Sequence, residues 1–274
     1  MKRIGIALGG GGVRGLAHVL VLEVFDQLGL RPALITGTSV GAIVGAAYAS
    51  GVPAAEMRTL CLRHIVTRND RLGDVIGKRA HLRIWLNAFG LETGRGGLLS
   101  PERMFGYLFK GLPVSTFEQL HIPLRVIAAD YWAAREVVFA SGELLPALRA
   151  SCAFPGVFAP AVVDGRVLVD GGMVNNVPYD HLRDACDLVI AVDVAGTRQA
   201  ERQSVPGFID SIVGAFNIMQ EAEMARRLSR APPDIYVHPR IRNTRVFDFT
   251  RIEEVFEQAA PAVARFRQEL ERAL

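Results

Sequence analysis

Apolar residues along this chain of 274 residues recur in two periods, and stretches of the two alternate. Arg3 to Leu8 is a β-rich apolar run that ends in Gly9-Gly10-Gly11-Gly12, after which Leu16, Val19, Leu20, Leu22, Val24 and Leu28 recur at helical spacing until Gly29. Strand, glycine loop and helix follow in that order. Ala33 to Thr36 is a second short apolar run, Gly37-Thr38-Ser39-Val40-Gly41 a sharp turn, and Ala42 to Ser50 a small-residue helix stopped by Gly51. Ser100-Pro101, a cap followed by proline at the first helical position, predicts a helix ending near Gly111.

Further along, Leu124 to Ala129, Glu136 to Ala140, Val167 to Val169, Leu188 to Val194 and Ile235 to His238 read as strands. Glu143 to Ser151 reads as a helix, and Phe208 to Leu228 and Ile252 to Leu270 as long amphipathic helices. Such alternation implies an α/β architecture, a mostly parallel central sheet with helices on both faces. No linker, internal repeat or low-complexity tract divides the chain, so one domain is expected over residues 1–274.

Half of the residues are hydrophobic and 22% are charged, which excludes disorder, collagen and coiled coil and suits a full core at this length. Three cysteines, Cys61, Cys152 and Cys186, offer neither a disulfide framework nor zinc spacing. No apolar run approaches the roughly 18 residues of a membrane-spanning helix, and the start of the chain lacks the pattern of a secretory signal, so a cytoplasmic location is expected. Lys+Arg 31 against Asp+Glu 28 leaves +3, too little for a nucleic-acid face.

The charge is unevenly placed. Between Arg58 and Lys110 ten basic residues face four acidic ones, a local +6, while the remainder carries −3. The same stretch holds Ile84, Trp85, Leu86, Phe89 and Leu91. That mixture suits peripheral contact with an anionic membrane surface, at the inner face of the cell membrane for a cytoplasmic protein. It equally suits a solvated helical excursion.

Candidate chemistry starts at Gly37-x-Ser39-x-Gly41, which sits where a buried strand turns into a helix, the context demanded of a nucleophile elbow. Gly37 and Gly41 let the tight turn pass close to its neighbours. The plainer reading makes Ser39 a helix cap. Gly10, Gly12 and Gly15 also satisfy a dinucleotide-binding fingerprint, but that fingerprint calls for an acidic residue at the end of the second strand, where this chain presents the serine turn. An oxyanion hole built from backbone N–H groups fits the loop better.

A serine nucleophile needs a base. His181 and His238 suit the chain order of an α/β-hydrolase, yet neither lies in a glycine-supported loop. Asp170 ends the strand Val167–Val169 and precedes Gly171-Gly172, which is expected to place it at the C-terminal edge of the sheet, where Ser39 also emerges. Its plainer reading is an Asx cap of a turn. Asp130 and Asp193 also end strands but precede no glycine pair. Ser151 lies outside the elbow and is expected to be dispensable.

Taken together, Gly10-Gly11-Gly12-Val13-Arg14-Gly15, Gly37-Thr38-Ser39-Val40-Gly41, Ala150 to Phe158, and Asp170-Gly171-Gly172 with Asn175, Asn176 and Pro178 resemble the patatin-like phospholipases, in the order and spacing of the small bacterial members. The resemblance implies a Ser39–Asp170 dyad without a catalytic histidine, metal or cofactor, acting on fatty acyl esters of lipids. It implies an oxyanion loop of Gly10, Gly11, Gly12, Val13 and Arg14, with the N–H groups of Gly11, Gly12 and Val13 as donors and Arg14 as support. Gly37, Gly41, Gly171 and Gly172 then support the elbow and the dyad, and residues at about 58–112 form a variable helical cap without assigned roles. Burial is expected to raise the Asp170 pKa from about 3.9. The competing functions are a carboxylesterase or thioesterase with a Ser-His base, and a regulatory module holding a phosphate at the glycine loop.

Overall fold

The computed structural model describes residues 2–64, 113–196, 205, 207–242, 244, 246 and 251–274. The helix expected after Ser100-Pro101 and nearly all of the basic stretch between Arg58 and Lys110 lie outside the described residues. The strands are β1 (Ile4–Leu8), β2 (Leu34–Thr38), β3 (Leu124–Asp130), β4 (Arg135–Phe139), β5 (Ala161–Val163), β6 (Arg166–Asp170), β7 (Leu188–Val192) and β8 (Ile235–Val237). The helices are α1 (Ala17–Gln27), α2 (Val40–Ala49), α3 (Ala54–His64), α4 (Leu144–Ser151), α5 (Phe208–Arg230) and α6 (Ile252–Ala273).

β3, β2, β1, β7 and β8 lie side by side in that order, all parallel, and the hairpin strands β4, β5 and β6 complete a mixed sheet. Helices cover both faces. Ile6, Leu8, Ile190 and Val192 point to the face packed by α1 and α6, where the Phe25 and Phe266 rings lie 6.2 Å apart. The intervening Ala7, Val189 and Ala191 point to the other, against Tyr179, Leu182 and Met224 of α5. Truncating an aromatic anchor such as Phe25 to alanine would cost about 3–5 kcal/mol.

Among the described residues the expected strands and α-helices form, with one further α-helix and one further strand. α3 follows Pro53 without an apolar stripe clear enough to announce it, and β5 is three residues long, too short for alternation to show.

The neighbours of β3 decide how the site is assembled. Val126 and Ile127 pair with β2 on one side and β4 on the other, whereas Ala128 to Asp130 pair with β4 and β6. A strand has only two edges, so β2 and β6 occupy the same edge in succession. Thr38 stands opposite Ile127, and Asp170 stands opposite Ala128. β6 runs antiparallel to β3, so Asp170 does not emerge beside Ser39 from a common edge of parallel strands as the sequence led us to expect. The two strand ends meet head-on instead.

Candidate active site

Ser39, between β2 and α2, has φ 54 and ψ −127. A non-glycine residue held there stores about 1–3 kcal/mol of strain, so its surroundings must enforce it. At Gly41 a Cβ would lie 2.0 Å from the Leu8 carbonyl oxygen, and at Gly37 one would lie 2.7 Å from Ala42 Cα, so only glycine allows this approach of α2 to β1 and β2. Thr38 Oγ1 donates to the Asn175 carbonyl at 2.8 Å, and the Ser39 N–H donates to Ser151 Oγ at 2.8 Å. The Ser39 side chain makes no cap bond to α2, so the helix-cap reading fails.

Asp170 is buried. Its N–H donates to the Ala153 carbonyl at 3.0 Å, and Oδ1 accepts the Gly172 N–H at 2.8 Å, so the Asx cap is present and engages one carboxylate oxygen. Gly171 is wedged against the backbone of Ile127, where a Cβ would come within 2.2 Å of the carbonyl oxygen. Burial pushes the Asp170 carboxyl up from 3.8 to about 6, opposed by the Gly172 N–H and by a hydrogen bond with the Ser39 side chain. The Cys152 thiol lies beside both residues; burial and then the Asp170 charge push its pKa well up, while a hydrogen bond with Ser39 pulls the other way.

In the glycine loop the Gly10 N–H donates to the Asn176 carbonyl at 3.2 Å and the Val13 N–H to the Val246 carbonyl at 2.8 Å. Both N–H groups, including that of Val13, which the resemblance counts among the donors, are thus engaged within the chain. The N–H groups of Gly11 and Gly12 have no acceptor among the described residues. Gly12 has φ 59, and a Cβ on it would stand 2.2 Å from the Val246 carbonyl oxygen.

Three successive carbonyls of this loop are fastened by three different side chains. His18 Nε2 lies 2.8 Å from Gly9 O, Asn176 Nδ2 donates to Gly10 O at 3.2 Å, and Arg14 Nε donates to Gly11 O at 3.2 Å. Full burial pushes His18 down to about 4, so it is neutral at pH 7 and its Nε2–H is the donor; its buried Nδ1 has no partner among the described residues. Burial lowers Arg14 to about 10, against the opposing pull of Asp193. With the carbonyls tied back, the loop offers its free N–H groups.

The other candidate bases are committed elsewhere. His181 Nε2 pairs with Glu136, which raises its pKa, and His238 Nδ1 contacts the Asp193 carbonyl at 3.0 Å. Asp130 caps the β3–β4 turn, and Asp193 accepts from the Ala195 N–H and the Tyr236 hydroxyl. Ser151, outside the elbow in sequence, is fully buried, and its hydroxyl oxygen accepts the Ser39 N–H. In the sequence it stands in the motif Ala150 to Phe158, in the last turn of a helix and next to Cys152 and Ala153, which touch Ser39 and Asp170.

Among the described residues no helix is long and apolar enough to cross a membrane. The sequence model of the patatin-like phospholipases matches residues 6–183. An uncharacterised NTE family protein of Mycobacterium bovis is 32% identical over 232 residues, covering 82% of this chain and 60% of that protein. The lysophospholipase nte1 of Aspergillus fumigatus is 24% identical over 279 residues, covering 93% of this chain and 18% of its own length. The chain thus spans 60% and 18% of the length of these two relatives. VipD from Legionella pneumophila superposes with a TM-score of 0.49 at 13% identity, covering 97% of this chain and 67% of that one. With the matched region running from β1 through the glycine loop, Ser39 and Asp170, the chain belongs to the patatin-like phospholipase family.

Proposed function

We propose that this protein hydrolyses fatty acyl esters of lipids, with Ser39 as nucleophile, Asp170 as base and the N–H groups of Gly11 and Gly12 as the oxyanion hole. The observation that carries this reading is the head-on meeting of β2 and β6 on one edge of β3, which puts a strained serine beside a buried carboxylate.

Asp170 takes the proton of the Ser39 hydroxyl as Oγ bonds to the ester carbonyl carbon, and the carbonyl π pair moves to oxygen. The Gly11 and Gly12 N–H groups hold that oxyanion, where preorganised donors stabilise the charge that develops. Collapse breaks the bond to the alcohol oxygen, which leaves with the proton from Asp170, and the acyl group stays on Ser39. Water then attacks, giving its proton to Asp170, and the second collapse returns that proton to Ser39 and releases the fatty acid. A carboxylate at about 6 is a stronger base than an exposed aspartate and is still largely ionised at pH 7.

The test is covalent capture by a fluorophosphonate, located by mass spectrometry. Labelling confined to Ser39 and absent from Ser39→Ala supports the reading, and an unlabelled protein with intact circular dichroism would sink it. His181→Ala and His238→Ala should both keep activity; loss in either would favour a Ser-His esterase.

A further inference from the structure

Two adjacent aromatic residues occupy the turn joining β3 to β4, where glycine and short polar residues are the usual occupants. Tyr131 is 53% and Trp132 79% exposed, and their rings meet edge to face with centroids 4.9 Å apart. The turn is firmly built. Asp130 Oδ1 accepts the N–H groups of Trp132 at 3.1 Å and Ala133 at 2.9 Å, and the Tyr131 N–H donates to the Val167 carbonyl at 2.9 Å. Val167 in turn pairs with Val162, which is 70% exposed. Three exposed apolar side chains on two neighbouring hairpins therefore share one end of the sheet.

That end is the one toward which β2 delivers Ser39. Thr38 pairs with Ile127, and Trp132 follows five residues further along the same direction, ~16 Å at ~3.3 Å per residue.

We propose that the β3–β4 hairpin tip anchors the protein in the interfacial zone of a phospholipid surface, with Tyr131 and Trp132 inserted and the end of the sheet that carries Ser39 turned toward the lipid. The purpose of such an anchor rests on reading Ser39 and Asp170 as a lipid acyl hydrolase. Tryptophan and tyrosine settle at this boundary because each joins a large apolar ring to a polar edge. Area argues against a protein partner: rings of roughly 150–250 Å² each fall well short of the roughly 800 Å² per side of a stable protein interface.

Charge sets the lipid dependence. Arg135 and Arg166 are exposed near the tip, Asp164 is exposed in the β5–β6 turn, and the Asp130 carboxylate is taken up by the turn. These charges nearly cancel, so the anchor acts through apolar burial, on zwitterionic surfaces as on anionic ones, and it persists in high salt.

Trp85→Phe leaves Trp132 as the one tryptophan of the chain. In that background, vesicles of pure phosphatidylcholine in high salt should shift Trp132 emission to the blue. Tyr131→Ser with Trp132→Ser should lower sedimentation with those vesicles by about tenfold or more. The same double change should lower turnover of vesicle-borne lipid relative to that of a soluble short-chain ester. Unchanged emission, or equal sedimentation of the double variant and its parent, would overturn the anchor. So would an emission shift that follows protein concentration and not lipid, which would point to self-association. Emission and sedimentation decide the anchor whether or not the protein turns over an ester, so failure of the catalytic reading is visible separately.

Discussion

The backbone N–H of Ser39 donates to the hydroxyl oxygen of Ser151 at 2.8 Å, across 112 residues of sequence. This bond ties the strained turn after β2 to the end of α4, the segment whose next residues touch the Asp170 backbone and side chain. Ser151→Ala should leave the Ser39 N–H without its acceptor, at about 1–3 kcal/mol of stability. Small displacements of a nucleophile are costly, so kcat should fall by about tenfold to a hundredfold. Thermal unfolding and fluorophosphonate labelling rates check both; full activity at unchanged stability would show that the bond is idle.

Ser39→Ala and Asp170→Asn should each abolish ester hydrolysis with the fold intact, and the double variant should be no slower than either single one. Groups that act as a unit lose their effect together. A double variant much slower than both would mean that the two residues contribute separately.

Activity should rise with pH through about 6, as the Asp170 carboxyl loses its proton. Stability should run the other way. The folded chain keeps this proton to higher pH than the unfolded chain does, so its contribution is complete below 3.8 and is lost as pH rises through about 6. The gap corresponds to about 3 kcal/mol for this fully buried group. Asp170→Asn should therefore be more stable than its parent at pH 8 and lose that advantage near pH 4. Denaturant melts at the two pH values measure this, and an equal difference at both would exclude Asp170 as its source.

Asn176→Ala should free the Gly10 carbonyl and loosen the glycine loop. If the loop holds an oxyanion, kcat should fall by up to about a hundredfold with KM little changed, because the interaction exists only in the transition state. A rise in KM alone would assign Asn176 to substrate binding.

The basic stretch between Arg58 and Lys110 should add a second, electrostatic mode of membrane binding. Three or four cations near an anionic surface, at about 1 kcal/mol each, amount to a hundredfold or more in partitioning, screened by salt. Lys78→Gln with Arg79→Gln and Arg83→Gln should weaken sedimentation with anionic vesicles at low salt and leave binding to phosphatidylcholine unchanged. Equal sedimentation of variant and parent at low salt would return the stretch to a solvated face.

The sequence by itself determined what depends on near neighbours. The apolar run Ile4 to Leu8, cut off by glycines, reads as a strand wherever it is placed, and Gly37 and Gly41 around Ser39 specify a tight turn, because β-propensity and steric clearance act within a few residues. It likewise pointed to Asp170 through the glycine pair that follows it. Only tertiary structure decided the direction of β6, since an apolar run reads the same in a parallel or an antiparallel pair. Pairing with Ala128 turned the Asp170 end to meet the Ser39 end. Tertiary structure also spent the Gly10 and Val13 N–H groups on Asn176 and Val246, leaving those of Gly11 and Gly12, and brought the Ser151 hydroxyl to the Ser39 N–H. Hydrogen bonds between residues so far apart leave no periodic trace in the chain, because their partners are chosen by how strands and helices pack.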